Sequence, residues 1–243
     1  MSLAVRVLGV GDAFTALYTN ASLILEGDGT RLLVDAPPAL NRGLRALPGE
    51  AVTLDDIDHV LITHLHGDHV GGLEQLLFWR RFVTRRLCTI HAIPEVLEGL
   101  WETRLKGAMH CLLQKTGELQ ELTLEDYAQL APLKPGTNRI GAFDVEWRRT
   151  IHHIPTSAIR VRSGAKTLGY SADTSFDRGL VDWLGESDMF FHETNYGVHT
   201  PLESLVALPQ TLQAKMRLIH YPDDHDRERS PIRCALEGER IEL

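Results

Sequence analysis

A short stretch of the chain, residues 64–69 with the sequence HLHGDH, places four metal-competent side chains within six positions. They are His64, His66, Asp68 and His69. Neutral imidazole and carboxylate groups are typical ligands of zinc, iron or manganese. Because the whole chain contains only three cysteines, the thiolate-rich, closed type of structural zinc site is disfavoured, and the stretch predicts an open, catalytic type of metal site.

The residues before and after this stretch predict how it is positioned. The apolar run 59–63 is typical of a short buried strand, which places the four side chains at the strand's C-terminal end. Side chains alternate along an extended backbone, so His64 and His66 project in the same direction and can bind one ion. Asp68 and His69 follow a turn at Gly67 and can face a second ion.

A different interpretation of the same stretch is that two or three of its histidines are solvated loop residues. An isolated His-x-His pair more often consists of solvated loop residues than of metal ligands. Here the pair is followed by Asp68 and His69 and then by Gly71 and Gly72, which let the next helix begin close to the cluster. This combination favours the metal site.

Length, composition and charge are those of an ordinary globular protein. The chain has 243 residues, 43% hydrophobic and 24% charged, with a net charge of −8. An acidic chain attracts polyanions weakly, so bulk nucleic-acid binding is not expected. The arginines at positions 80, 81, 85 and 86 are interpreted mainly as a solvated face of the helix predicted over residues 70–82.

Cysteine usage and hydropathy favour the cytoplasm as the location of the chain. Cys88, Cys111 and Cys234 have no paired spacing, which suits a reducing compartment and predicts that each is a small buried residue. The sequence shows no leader-like apolar segment at its start and no run of 18 apolar residues, so no membrane association is expected.

The motif HLHGDH is the signature of the metallo-β-lactamase superfamily of metallohydrolases, which this sequence resembles. The resemblance implies an α+β fold, a four-layer αβ/βα sandwich of two mixed β-sheets with helices on the outer faces. It implies one domain over residues 1–243, with a variable segment around 107–135 that forms a lid or a contact between copies of the chain. A homodimer is therefore one expectation.

The resemblance also implies the remaining metal ligands. One imidazole of the pair His152-His153 should complete the first site, with His152 favoured by the run that follows and His153 as the alternative. Asp173, in the run Ala-Asp-Thr, resembles a carboxylate that bridges both metals, and His220 matches the last ligand. The predicted set consists of His64, His66, Asp68, His69, His152, Asp173 and His220.

Two further residues have open roles in this interpretation. Asp35 ends a predicted strand and either supports a ligand histidine from behind or caps the helix predicted over residues 37–47. His199 resembles a histidine that assists proton transfer in ribonuclease Z-like phosphodiesterases, but Pro201 departs from that pattern. His199 is equally well interpreted as a polar residue before a helix.

These residues predict a hydrolase with two divalent metal ions. Zinc is the favoured metal, and iron and manganese are the alternatives. A hydroxide between two such ions forms near neutral pH and attacks an electrophilic centre, with Asp68 as the group that orients it and accepts its proton.

The order of motifs is closest to ribonuclease Z-like and PhnP-like phosphodiesterases, so the predicted substrate is a small phosphodiester or nucleotide. The alternatives are a lactone or carboxylic ester hydrolase that uses the same site, and a metal-bearing protein that binds a ligand without turnover.

Overall fold

Two β-sheets form the centre of the molecule in a computed structural model that describes residues 3–243. The first sheet has seven strands, with β1, β2 and β3 antiparallel and β3, β4, β5 and β8 parallel. In spatial order they are β15 (Arg240–Glu242), β1 (Ala4–Gly9), β2 (Ser22–Gly27), β3 (Thr30–Val34), β4 (His59–Leu61), β5 (Cys88–Ala92) and β8 (Ala128–Pro132).

The second sheet has six strands and the same mixture of directions. Its antiparallel half pairs β9, β10, β11 and β12, and its parallel half pairs β12, β13 and β14. The spatial order is β14 (Met216–Ile219), β13 (Met189–Glu193), β12 (Lys166–Tyr170), β11 (Ser157–Ser163), β10 (Phe143–Arg149) and β9 (Asn138–Ile140).

Alternating side chains of the first sheet divide between two cores. On β2, Leu23 and Leu25 belong to the core that also holds Phe143 and Phe191 of the second sheet. Ile24, between them in sequence, belongs to a second core beneath the outer helices. Both faces of the sheet are therefore buried, which explains why the sequences of these strands are continuous apolar runs.

Helices cover the outer faces of both sheets. Leucines of the helices before and after the motif pack in the core on the outer face of the first sheet, and α6 packs Val181 and Leu184 into the core of the second. The helices are α1 (Leu40–Ala46), α2 (Gly67–Val70), α3 (Leu73–Trp79), α4 (Pro94–Leu100), α5 (Lys106–Met109), α6 (Arg178–Gly185), α7 (Leu202–Val206) and α8 (Gln210–Gln213). The expected four-layer sandwich is confirmed.

The double glycine after the motif has the close contacts that the sequence indicates. A Cβ at Gly72 would lie 2.2 Å from the backbone oxygen of Pro37, and one at Gly71 would lie 2.6 Å from that of Gly67. The chain bends there, so the helix predicted over residues 70–82 is divided into α2 and α3. A π-helical turn over Arg80–Thr84 then extends α3.

The segment around 107–135 contains regular structure. A two-stranded hairpin, β6 (Cys111–Leu113) with β7 (Leu119–Glu121), leaves Leu113 and Leu119 exposed. Strand β8 follows and pairs in parallel with β5 in the first sheet. The idea that this segment is a lid or a contact between copies stays a prediction.

Two smaller expectations are wrong. Arg80 is completely buried rather than solvated, because its guanidinium donates to the carboxylate of Asp58 and the backbone oxygen of Asp55. Cys111 is only partly buried.

No helix within residues 3–243 is both long enough and apolar enough to cross a membrane.

Candidate metal centre

The predicted ligands meet at one edge of the sandwich, where strands of both sheets end. His64 follows β4 of the first sheet, and Asp173 and His220 follow β12 and β14 of the second. His152 lies in the loop between β10 and β11. Residues separated by more than 150 positions therefore approach one another at the C-terminal ends of parallel strands, where α/β folds commonly place their sites.

One cluster joins three imidazoles and one carboxylate oxygen. The Nδ1 atom of His66 lies 3.1 Å from Nε2 of His64 and 3.3 Å from Nε2 of His152. The Oδ2 atom of Asp173 lies 3.5 Å from Nε2 of His64 and 3.9 Å from Nε2 of His152. All four ligand atoms lie within 4.8 Å of one another.

A second cluster lies beside the first. The Oδ2 atom of Asp68 is 3.1 Å from Nε2 of His69 and 3.3 Å from Nε2 of His220. The other carboxylate oxygen of Asp173, Oδ1, is 3.3 Å from Nε2 of His69 and 3.6 Å from Nε2 of His220. Asp173 therefore presents one oxygen to each cluster.

The structure brings together all seven residues of the predicted set and separates the two neighbouring histidines. His152 faces the first cluster. His153 is exposed, and its Nε2 atom lies 2.9 Å from Nε2 of His66 on the side away from the cluster.

The ligand atoms fit divalent cations. Nε2 of His69 and Oδ1 of Asp173 are buried and have no hydrogen-bond partner in the described chain. Buried polar atoms are nearly always paired, so atoms of this kind that converge on one point indicate a ligand for them. Imidazole and carboxylate are the donor types that zinc, iron and manganese accept.

The charges of the two clusters differ in an informative way. Burial lowers the pKa of His64 to about 3 and that of His152 to about 4, so both rings are neutral, the form that binds metal. In the second cluster burial opposes charge on His220, but the carboxylates of Asp173, Asp68 and Glu193 raise its pKa to about 10. These carboxylates therefore demand positive charge beside them, which protonated imidazoles or divalent cations supply.

Asp35 supports the second cluster from behind. Its Oδ2 atom lies 2.8 Å from Nδ1 of His69, and its carboxylate also accepts hydrogen bonds from the backbone N–H and the hydroxyl of Thr63. With the Nδ1–H of His69 donated to Asp35, the Nε2 lone pair faces the cluster. The contacts therefore favour the supporting role over the helix-cap role, since α1 begins only at Leu40.

Glu193 is a buried carboxylate whose role the sequence did not predict. Its oxygens lie 2.9 and 3.0 Å from Nδ1 of His199, and Oε2 lies 3.5 Å from Nδ1 of His220. The neighbouring His192 does not contact these histidines, since its Nδ1 atom is hydrogen-bonded to the backbone oxygen of Glu193. The position of Glu193 at the end of β13, beside two other strand ends that carry site residues, was the available signal.

His199 lies at the open side of the centre. Its side chain is 20% exposed, and its ring lies 5.3 Å from that of His220 and 5.7 Å from that of His152. Burial lowers its pKa, but the hydrogen bond to Glu193 outweighs this, so the pKa of His199 is raised above its ordinary value.

The fold and site define a class of protein. Along its full length the chain is similar to the metallo-β-lactamase fold protein YhfI from Bacillus subtilis (TM-score 0.79, 18% identity, all of both chains covered). It is also similar to a diphosphatase from the PhnP family (TM-score 0.75, 17% identity, 99% and 98% covered) and to yeast PDE1 (TM-score 0.71, 13% identity, 100% and 99% covered). The chain has the metallo-β-lactamase fold.

Sequence comparison places the chain more narrowly. The family model described as Anti-Pycsar protein Apyc1 matches residues 3–234. Curated relatives with that name come from Paenibacillus sp. (strain J14), 35% identical with 92% of this chain and 91% of the relative covered, and from Bacillus phage 010DV004, 30% identical with 98% and 97% covered. The chain belongs to the Anti-Pycsar protein Apyc1 family.

Proposed function

We propose that this chain is a metal-dependent phosphodiesterase that hydrolyses a small phosphodiester, and that 3′,5′-cyclic mononucleotides are the class to test first. The observation that carries the proposal is the placement of Asp173, whose two oxygens face two separate clusters of imidazoles. A shared carboxylate of this kind offsets the repulsion between two neighbouring dications.

The predicted ligands form two groups, and each group would hold one cation. Zinc is the first metal to test, and iron and manganese are the alternatives. His64, His66 and His152 would hold one ion and Asp68, His69 and His220 the other, with Asp173 shared. Such ions lower the pKa of water and stabilise negative charge on phosphoryl oxygens. The open side near His199 leaves room for water and substrate.

Asp68 is the residue that would orient the attacking water. Burial opposes its charge, but His69 and His220 hold its pKa well below the usual range, so it remains a carboxylate. A carboxylate accepts the hydrogen bond of a water molecule and so fixes the direction of its lone pair. Asp68 would therefore serve both as a ligand and as a positioning group.

His199 is the residue that would give a proton to the leaving oxygen. Its Nδ1 atom is bonded to Glu193, which leaves Nε2 directed away from that carboxylate. Glu193 raises the pKa of His199 and orients its imidazole. An alkoxide leaves poorly without a proton, so this step matters most for esters of sugar hydroxyls.

The substrate class is supported by charge and by the comparisons. A net charge of −8 gives the whole molecule little attraction for a long polyanion, so a small phosphodiester fits better than an RNA chain. Similar folds include proteins named as a diphosphatase and as PDE1.

A hydrolysis panel with metal analysis tests this proposal. Purified protein is assayed with cyclic nucleotides, bis(4-nitrophenyl) phosphate, a lactone, a thioester and a cephalosporin, and its metal content is measured by mass spectrometry. Hydrolysis of the phosphodiesters alone supports the proposal. Hydrolysis of the lactone alone indicates an ester hydrolase, and metal-loaded protein that hydrolyses none of the panel indicates a binding protein.

The Asp173→Ala variant provides the matched test of the site. We expect it to lose metal and all phosphodiester hydrolysis, while Asp177→Ala, which removes the partly buried N-cap side chain of α6, keeps both. Full activity in Asp173→Ala would contradict the proposal.

A further inference from the structure

An apolar groove of about 550 Å³ opens beside the metal centre. Its apolar lining includes Leu65, Val96, Ile154 and Pro155. The volume falls within the range typical of small-molecule sites, which are mostly apolar with a few polar groups at fixed positions.

The groove is continuous with the metal centre through His66. This imidazole lines the groove, and its Nδ1 atom lies in the first cluster, 3.1 Å from Nε2 of His64. Two loops that contribute to the lining, after β4 and after β10, are the same loops that bring His64, His66 and His152 to the centre. A molecule with its reacting group at the centre therefore reaches the groove directly.

Gly99 keeps the groove open on the side of α4. A Cβ at this position would lie 2.8 Å from Cδ1 of Leu65, closer than real contacts allow. The absence of a side chain lets Leu65 lie against the helix, so that its apolar surface forms part of the groove wall.

Polar groups lie at the rim of the groove. The segment after α4 contributes Thr103 and Arg104, and α4 itself contributes Glu95, which pairs with Arg149. They provide hydroxyl, guanidinium and carboxylate groups around an apolar interior. A planar heterocycle, with apolar faces and hydrogen-bonding edges, matches this arrangement.

A larger cavity elsewhere in the molecule is lined mainly by charged groups. A cavity of about 610 Å³ surrounds Glu26, Arg31 and Asp56. It also contains His59, which begins β4, whereas the metal centre follows the end of that strand. Its charged groups already pair with one another, as Arg31 does with Glu26 and Asp56. The groove beside His66 is therefore the better place for a part of the substrate.

We propose that this groove binds the heterocyclic base of a nucleotide substrate, an inference that rests on the proposed phosphodiesterase function. The base lies between Leu65 and Ile154, with its edge toward Thr103 and Arg104, while the phosphodiester lies at the metal centre. The groove then determines which phosphodiesters are good substrates without taking part in the chemistry.

The test compares a 3′,5′-cyclic nucleotide with methyl riboside 3′,5′-cyclic phosphate, which has the same reacting group and no base. The wild-type protein is expected to prefer the nucleotide by at least about tenfold in kcat/KM. Thr103→Trp, which fills the groove, should abolish most of this preference through KM. Hydrolysis of the baseless phosphate and the metal content should stay unchanged.

Two further variants make the result decisive. Ile154→Ala removes part of the apolar lining and should also reduce the preference, without filling the groove. Glu98→Trp adds the same bulk to an exposed position of α4 outside the groove, and should leave the preference within about twofold.

The two proposals fail in different ways. If Thr103→Trp and Ile154→Ala both fold, bind metal and retain the preference, or if the wild-type protein shows no preference, the groove is not the base site. If the wild-type protein hydrolyses neither cyclic phosphate, the proposed function itself is wrong.

Discussion

Three residues at the candidate centre have a backbone conformation that non-glycine residues rarely adopt. Asp35, Ala172 and His220 have φ values of 62°, 51° and 56°. Each directly follows or lies just beyond a strand, β3, β12 or β14. Such conformations cost about 1–3 kcal/mol each and concentrate at functional sites. Here they turn the chain sharply at the strand end and so aim Asp35, Asp173 and His220 at the centre.

Asp35→Asn tests the support that this carboxylate gives to His69. Asparagine tolerates positive φ, so the backbone is kept while the charged acceptor for the Nδ1–H of His69 is lost. We expect metal affinity to fall by about 10–100-fold, as measured by competition with a chelating dye. Asp28→Asn is the matched control, since Asp28 also has positive φ (41°) but is exposed in a turn. Equal affinity in both variants would show that Asp35 does not orient its neighbour.

His199→Gln tests proton donation by comparing leaving groups. For a cyclic nucleotide, whose leaving group is an alkoxide, we expect kcat to fall by about 10²–10⁴-fold. For bis(4-nitrophenyl) phosphate the phenolate leaves without a proton, and the loss should be less than about tenfold. His110→Gln, at an exposed histidine, serves as the control. The same loss with both substrates would contradict a role in proton donation.

At the scale of elements, strands were predicted better than helices. The apolar run before the motif contains strand β4, because buried strands need continuous apolar sequence. The helix predicted over residues 37–47 begins only at Leu40, after Ala39 adopts a left-handed conformation. Nothing in the local sequence marks Ala39 for that conformation, since alanine rarely adopts it. Tertiary packing determines it.

A pair of histidines on neighbouring strands predicts acid sensitivity of the first sheet. Nδ1 of His59 on β4 lies 3.2 Å from Nε2 of His91 on β5, and burial lowers the pKa of His91 to about 4. The unfolded chain therefore binds more protons than the folded one between about pH 4 and 6.5. Stability from this group is fully present above pH 6.5 and is lost as the pH falls toward 4.

Urea unfolding of wild-type and His91→Gln proteins, both stripped of metal, measures this effect. Between pH 7.5 and pH 5.0 the wild-type protein should lose about 2 kcal/mol more than the variant, because each unit below 6.5 costs about 1.4 kcal/mol. Parallel pH dependence in the two proteins would mean that His91 does not contribute.

At the scale of the whole molecule, the centre lies where the two sheets meet. The motif residues 64–69 come from the first sheet, and Asp173 and His220 come from the second. The sequence alone indicates only the first group, since its ligands are adjacent in the chain. Asp173 and His220 appear as single residues after strands, and only the resemblance to a family predicted them. The resemblance included Glu193 but assigned it no role, and the contact with His199 became visible only in the structure.

Metal bound between the sheets should stabilise the entire fold. Ligand at 100 times its Kd contributes about 2.7 kcal/mol, which for a domain of this size corresponds to a rise in Tm of about 5–10 °C. We expect a chelator to lower the Tm by that amount, zinc to restore it, and Asp173→Ala to be insensitive to both. Differential scanning calorimetry makes the measurement, and a chelator effect of the same size in Asp173→Ala would contradict it.

The central claim is that Asp173 lies between two cations at the meeting point of the sheets. Anomalous diffraction from crystals of the zinc-loaded protein tests it most directly. We expect two peaks about 3.5–4 Å apart, one among His64, His66 and His152 and one among Asp68, His69 and His220, with one oxygen of Asp173 toward each. A single peak, or two peaks of which neither contacts Asp173, would contradict the account.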